Sequence, residues 1–530
     1  MTEPKGAPLA AIVAYARAGA LDHAWRQFLL AGHGQRLDDP AALAVKGRLL
    51  KDRAVRAGGA ERRRLYLEAA RAYRASAAVR PASYPLINAA TLSFLAEDRQ
   101  AAADIAREVL AQIERSPDEP ETPYWRGATR AEALLLLGRD GEAKAALGDA
   151  IAAAPRAWED HAATLRQFAL LLAARGEAAD WLDPLRSPRS IHFAGHMSFH
   201  GDRDRPELER AVAEALEEER AGFAFGALAA GADLLVAEPV LARGAELHVV
   251  LPCGAEAFAA WSVDPWGPEW RRRFDAAMAA AETVRIVRPV GGRPGPRMIA
   301  LADEIAMGAA AMNARRLASE AVQLLVRPPD ETARGDGDAW RGSGRRRRLI
   351  AAAREEVTPG TPSEAPTEST GGDPMAIRAF GLDPIDDGFA ARLDGLARRL
   401  DAVPGLRFAP HLDGDRVLAG FADPAAAAEA AARLQAACDD GTALRIGGHY
   451  GLAETVHDPF SDRRRLVGAA PQIAAAAAAS TPPGSTCVTD DFAAALACAG
   501  SEGMETGFVG ELEAADGGPP IALHALSARL

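Results

Sequence analysis

The stretches SIHFAGHMSFHGD (190–202) and FAFGALAAGADLLVAEPVLARGAELHVVLP (223–252) decide how the middle of the chain is read. Each opens with a short apolar run, ends it on a glycine, and passes into a helix-forming segment. Apolar runs separated by helices of ten or more residues predict a parallel sheet with crossover helices. Further strands are expected at ELHVVLP (246–252) and VRIVRP (284–289), and Pro206 with the acidic start of ELERAVAEALEE (207–218) marks a helix N-terminus. Ligands of such sheets lie beyond the carboxyl ends of the strands. The candidates there are Gly195 and His196 after the first strand, with Gly226, Gly231, Ala232 and Asp233 after the second. Glycines let backbone N–H groups approach an anion, and a helix N-terminus adds partial positive charge. Asp233, or Glu238 beyond it, would then accept a hydrogen bond from a ribose hydroxyl.

Upstream of this region the period is helical. AERRRLYLEAARAYRASAAVRP (60–81), YPLINAATLSFLAEDRQAAADIAREVLAQIERSP (84–117) and TPYWRGATRAEALLLLGRDGEAKAALGDAIAAAP (122–155) carry small and apolar residues three and four apart. Each ends on a proline, and Pro81, Pro117 and Pro155 lie 36 and 38 residues apart, close to a helix–turn–helix repeat. An all-α, TPR-like helical-repeat interaction domain is expected over 1–185. Downstream, REEVTPGTPSEAPTESTGGD has no apolar period and predicts a disordered linker over 356–374. Residues 375–530 then supply a helix (FAARLDGLARRLDAV), a hairpin (LRFAPHLDGDRVLAGF), a second helix (PAAAAEAAARLQAAC) and a strand (LRIGGHYGLA). Their order is β-α-β-β-α-β-like, an α+β ferredoxin-like arrangement.

Composition narrows the chemistry. The 530 residues are 48% hydrophobic and 25% charged, ordinary for folded globular domains, and aromatics are only 6%. Abundant alanine with few aromatics favours helices packed at close range. A net charge of −12 argues against binding nucleic acid by phosphate neutralisation. Cys253, Cys438, Cys487 and Cys498 stand in no metal-ligand spacing, which fits a reducing, cytoplasmic location. No run of 18 uncharged apolar residues occurs, so no membrane span is expected. Lysine appears at positions 5, 46, 51 and 144 and never afterwards. A Walker A loop and a Schiff-base nucleophile both need one, so neither chemistry belongs to the later part of the chain.

Three resemblances sharpen these expectations. Tyr84, Asn88, Ala89, Thr91 and Leu92, with Tyr124, Trp125, Ala128, Thr129 and Glu132, make the helical region similar to the TRAF-binding, tetratricopeptide-like region of mitogen-activated kinase kinase kinases. That resemblance implies a module that binds a protein partner. The 193–252 stretch resembles the Rossmann-like nucleotide-sensing domains grouped with the lysine-decarboxylase-like and DNA-processing-A families. It implies an α/β Rossmann-like parallel sheet over 188–355, with Gly195, His196, Gly226, Gly231, Ala232, Asp233 and Glu238 at a nucleotide-derived ligand. The enzymes of that group add a PGGxGT loop, whose nearest equivalent here, GDGDAWRGSG (335–344), has lost the threonine. Binding is therefore expected in place of turnover, with nucleotide hydrolysis as an alternative.

The last domain resembles class III nucleotidyl cyclases, in which two aspartates hold two metal ions over a triphosphate. Asp415 matches the hairpin aspartate and is the one implied metal ligand. The first-strand aspartate is displaced to Asp383, ahead of Pro384. His411 replaces the base-selecting lysine, and the asparagine and arginine of the interface helix fall on Gln472 and Ala476. An alanine cannot supply an arginine's charge and donors. The expectation is a degenerate cyclase that needs no cofactor, with Mg or Mn bound only if it is active after all. Its alanine-rich helix, PQIAAAAAAS, is expected to pair two chains as a homodimer. The basic run Arg345–Arg348 reads as a solvated strand entry, and Arg463–Arg465 as a loop. Of His192, His196 and His200, only His196 is expected to meet a ligand.

Overall fold

The computed structural model describes residues 7–197, 201–288, 292–328, 340, 342–353, 372–382, 386–437, 444–460, 462–501, 503–513 and 520–528, side chains of 201–204 excepted. The chain divides at Ser187/Pro188 into two compact units.

The first unit is helical throughout its described length. It comprises α1 (Leu9–Arg17), α2 (Leu21–Leu30), α3 (Pro40–Arg56), α4 (Gly59–Val79), α5 (Ser83–Leu95), α6 (Arg99–Arg115), α7 (Pro123–Leu136), α8 (Asp140–Ala153) and α9 (Trp158–Arg175). Local chemistry sets the starts. Asp39 caps α3 by accepting from the Ala41 and Ala42 amides, and Asp98 and Thr122 do the same for α6 and α7. Pro40 and Pro123 stand in first helical turns, where a missing N–H is harmless. Small residues set the spacing between paired helices. A side chain at Gly127 would lie 2.8 Å from the Ala150 Cβ, and one at Gly47 would collide with the Tyr73 ring.

Successive pairs are joined by polar contacts through the residues that carried the first resemblance. Thr91 donates to Glu132 at 2.5 Å, Gln167 donates to the same oxygen at 3.0 Å, and Tyr124 donates to Thr164 at 2.8 Å. Burial raises the Glu132 carboxyl above its ordinary range, against the pull of those two donors.

The second unit holds two sheets. The first contains β1 (Arg189–Gly195), β2 (Ala221–Gly226), β3 (Glu246–Leu251), β4 (Thr283–Ile286), β5 (Ala321–Arg327) and β6 (Arg346–Ala351). All pair in parallel, in the order β4-β3-β2-β1-β5-β6. Strand order reverses between β1 and β5, and this is where open α/β sheets hold ligands. α10 (Gly201–Glu218), α11 (Ala232–Ala242), α12 (Ala255–Ser262) and α13 (Pro268–Ala280) share a core with Ile191, Phe193, Leu247, Val249, Leu251, Val322 and Leu324. The alternate residues, among them His192, Val250 and Gln323, point to the other face, as the two-residue period of a strand requires. There they meet α14 (Pro296–Arg316).

The second sheet is built from β7 (Asp373–Gly381), α15 (Phe389–Asp401), β8 (Leu406–Asp413), β9 (Arg416–Phe421), α16 (Pro424–Ala436) and β10 (Arg445–Asp458). Strand order β10-β7-β9-β8 with antiparallel pairs bears out the β-α-β-β-α-β order. β11 (Arg463–Val467), α17 (Ala469–Ser480), β12 (Ser485–Thr489), α18 (Asp490–Cys498), β13 (Met504–Leu512) and β14 (Ile521–Ala528) extend it. β12 and β14 add to β10, and β13 forms the edge.

The two sheets fall in one compact unit and share a core. Val250, Leu301, Ala302, Ile305 and Ala306 of the parallel-sheet part share one core with Ala376, Phe380, Tyr450, Phe492 and Ala494. A Cβ on Gly308 of α14 would overlap the Ala494 carbonyl of α18. The face of the parallel sheet that carries α14 is thus completed by the second sheet's helices. Most of the expected linker, 356–371, lies outside the described residues, and β7 already begins at Asp373.

Candidate functional site

The exit of β1 collects most of the residues singled out from the sequence. Gly195 has no room for a side chain, because a Cβ would overlap the Ala232 methyl and the Val326 carbonyl. Gly231 caps α11 at φ 104°, a backbone shape that favours glycine, and its missing side chain lets the chain at His196 and Met197 pass over it. The Ala232 amide donates to the His196 carbonyl at 3.1 Å, which ties the two glycine loops together. Gly226 sits against the Phe193 carbonyl, 2.6 Å from where its Cβ would be. The His196 ring lies with Nε2 3.3 Å from the Ala352 carbonyl, beyond the end of β6.

Asp233 lies in the first turn of α11 and is buried. One oxygen accepts from the Ala229 amide at 3.0 Å, closing the loop that precedes the helix. Burial pushes its carboxyl up to about 7, and the charge of Asp303 adds to the rise. Glu238 does not join this group. Both of its oxygens are taken by Arg273 of α13 at 2.6 Å, and that guanidinium in turn lies over the Trp270 ring.

A polar relay under β1 escaped the sequence reading. Arg347 donates through Nε to Gln323 Oε1 at 2.7 Å, which turns the Gln323 amide nitrogen toward His192 Nδ1 at 3.3 Å. His192 Nε2 is then the protonated nitrogen, 2.9 Å from Asp303 on α14. His192 is fully buried, while the Asp303 side chain is 35% exposed. The alternation of polar His192 with apolar Ile191 and Phe193 was the signal available. It identified a strand but not a partner 111 residues away.

The basic run opens strand β6, as expected, with Arg346 exposed, but its side chains are engaged. Arg346 and Arg348 pair with the buried Glu219, Arg348 also with Glu218, and Arg345 donates to the Cys498 and Ala497 carbonyls at 3.0 and 2.5 Å. Arg463–Arg465 forms strand β11 instead of a loop, with Arg465 paired to Asp458 at 2.7 Å.

The positions matched to a cyclase centre are open by comparison. Asp415 stands in the β8–β9 turn beside Gly414 at φ 60°, with Arg416 Nε 3.8 Å away and its side chain 43% exposed. Gln472 is exposed on α17 and Ala476 lies one turn on from it. The His411 ring lies with Nδ1 3.4 Å from the Ala409 carbonyl on its own strand. Asp383, His200 and most of 335–344 lie outside the described residues. Among the described residues no group of three or more His, Cys, Asp or Glu side chains is placed to hold a metal ion. None of the described helices is long and apolar enough to cross a membrane.

Residues 7–93 match the family model TPR-S, Tetratricopeptide Repeats-Sensor. The helical N-terminal region is thus TPR-like on two counts, its fold and this match. No curated protein sequence matches the chain. Among the solved structures that resemble it are nucleotidyl cyclase domains. They include adenylate cyclase from Trypanosoma brucei in the monomeric state, at 17% identity over 29% of this chain and 88% of that one, with a TM-score of 0.25. An adenylate/guanylate cyclase/hydrolase from Silicibacter pomeroyi matches at 20% identity over 29% and 95%, TM-score 0.24. The adenylyl cyclase CyaB from P. aeruginosa matches at 10% identity over 29% and 93%, TM-score 0.24.

Proposed function

We infer that this is a signalling protein in which the β1 exit senses a nucleotide-derived ligand, the helical region binds a protein partner, and the second sheet responds without making cyclic nucleotide. The observation that carries the reading is the convergence of Gly195, His196, Gly231, Ala232 and Asp233 where strand order reverses. Glycine backbone and the N-terminus of α11 favour the phosphate of such a ligand. Asp233 supplies a carboxyl that accepts from a ribose hydroxyl when ionised and donates when protonated.

A cyclase reading has less support. Two-metal chemistry needs paired carboxylates, and Asp415 is the one implied ligand within the described residues. Mg or Mn would serve the second sheet only if that chemistry survived. A homodimer through α17 remains part of the proposal, with the outward alanines of 469–480 as its surface. A cytoplasmic site of action follows from the same reading.

Thermal-shift measurements on the full chain with nucleoside mono-, di- and triphosphates and cyclic dinucleotides test the sensor. A saturating rise in Tm with at least one phosphate-bearing nucleotide, absent with the bare nucleosides, is expected. No shift across the panel overturns ligand sensing and leaves a scaffold. Cyclic product formed from ATP or GTP with manganese, detected by mass spectrometry, overturns the inactive second sheet.

A further inference from the structure

The helix α18 belongs to the second sheet, yet the parallel-sheet part grips it at both ends. At its N-terminus Asp490 and Asp491 are both ion-paired to Arg285 of β4. Burial opposes the charge on Asp490, but Arg285 and His524 outweigh it and hold that carboxyl well below its ordinary range. His524 Nε2 lies 2.9 Å from Asp490, and His449 Nδ1 lies 2.9 Å from the Thr489 hydroxyl just before the helix. At the C-terminus, Arg345 donates to the carbonyls of Ala497 and Cys498. Carboxylates at the start and a guanidinium at the end both suit the helix dipole. Midway, Gly308 of α14 lets Ala494 approach to backbone contact.

What α18 covers is less comfortable. Arg378 of β7 is fully buried beneath it, with its guanidinium 4.2 Å from the Phe492 ring centre. Its Nε donates to the Ala427 carbonyl at 3.2 Å, but Nη1 and Nη2 find no acceptor among the described residues. Removal from water lowers its pKa to about 9, which leaves it charged at neutral pH. A buried charge without a counter-ion destabilises the packed state, and water reaching it would relieve that penalty. The charge beneath α18 therefore works against closure, while the burial of Phe492, Ala493, Ala494, Ala495 and Leu496 and the contacts at its two ends hold it shut.

We propose that α18 is a latch, closed by Arg285 and Arg345 over the Arg378 guanidinium, which has no counter-ion among the described residues, and able to open locally while both sheets stay folded. α14 links it to the β1 exit. Asp303 is bound to His192 there, and its neighbour Glu304 accepts from Tyr450 of β10 at 2.9 Å. Only that link rests on the sensor reading; the latch stands without it.

Native-state hydrogen exchange on the full chain tests the latch with no ligand present. In rising urea, amides of 490–498 should exchange through an opening with a much shallower slope than those of β1 and β10. Arg345→Ala should speed exchange across 490–498 on the order of tenfold, with β1 unchanged. Adding Arg378→Met to that variant should return most of the protection, because the thioether side chain prefers the buried site. The latch is overturned if 490–498 exchanges only with the global slope, or if the double variant stays as fast as Arg345→Ala. Should Arg345→Ala fail to fold, the slope in the unaltered chain decides alone. Loss of the latch would leave any nucleotide-dependent Tm shift intact, so the two readings fail separately.

Discussion

The exit of β1 and the β8–β9 turn are both places where the sequence offered an aspartate for a nucleotide, and they differ in how much surrounds that aspartate. Asp233 is buried, accepts a backbone N–H and sits between two loops held in contact by glycines. Asp415 stands at an open turn beside its own neighbour, Arg416. A site that orients a ligand must be over-determined by its neighbours and partly stripped of water. The first location meets that condition and the second does not. Strain and desolvation therefore accumulate where binding is proposed, and mutation should expose the contrast.

The largest effect is expected at Gly195. Valine there would drive its side chain into the Ala232 methyl and the Val326 carbonyl, and backbone cannot step aside as a flexible side chain can. Overpacking of this kind is expected to cost about 4 kcal/mol or more. Urea unfolding of the full chain followed by circular dichroism should show the transition of 188–529 shifted or lost, while the helical unit keeps its own. A Gly195→Val chain with unaltered stability would mean that the β1 exit has slack, and the contrast with the hairpin turn would collapse.

The second effect depends on pH. Asp233 has a folded-state pKa of about 7, above the usual carboxylate range of an unfolded chain. A raised carboxyl supports the fold below the unfolded pKa, and that support is lost as pH rises toward the folded value. Asparagine keeps an acceptor for the Ala229 amide and removes the titration. Asp233→Asn should thus be near-neutral at pH 4 and stabilising at pH 8, on the order of 2 kcal/mol. Unfolding curves at the two pH values measure it, and equal effects at both would show that Asp233 is not desolvated as described.

How much of this was written in the chain divides by range. Alternation and glycine placement sufficed for β1, β2 and α11, because their signals lie within ten residues of one another. Strand order reads out less directly, yet the crossover pattern was enough for a parallel sheet, and the β-α-β-β-α-β order for the second. The failures are long-range. Nothing local tells that Arg285 serves Asp490, or that Arg345 ends a helix more than 150 residues later. Glu238 is paired with Arg273, and a carboxylate near a glycine loop looks the same in sequence whether it faces a ligand or a guanidinium. The Pro- and Ser-rich stretch around 356–374 suggested independent modules, since composition reveals a linker and says nothing of the surfaces it joins. Gly308 and the alanines of α18 did carry the relevant hint, small residues where helices must touch, but their partner lay on the other side of that linker.

The smallest effect is expected at Asp415, and its smallness is informative. An exposed carboxylate 3.8 Å from a neighbouring guanidinium contributes about 0–1 kcal/mol, since water screens the pair and the side chains stay mobile. Asp415→Ala should accordingly leave the unfolding midpoint almost unchanged. An aspartate retained to bind a divalent cation behaves differently, because adding the cation stabilises the folded chain and the alanine variant forfeits that gain. Millimolar manganese with and without ATP should therefore shift Tm equally in both chains. A manganese-dependent shift confined to the unaltered chain would put a working metal ligand at the hairpin. The second sheet would then be a held-back enzyme, with α18 as the element to release.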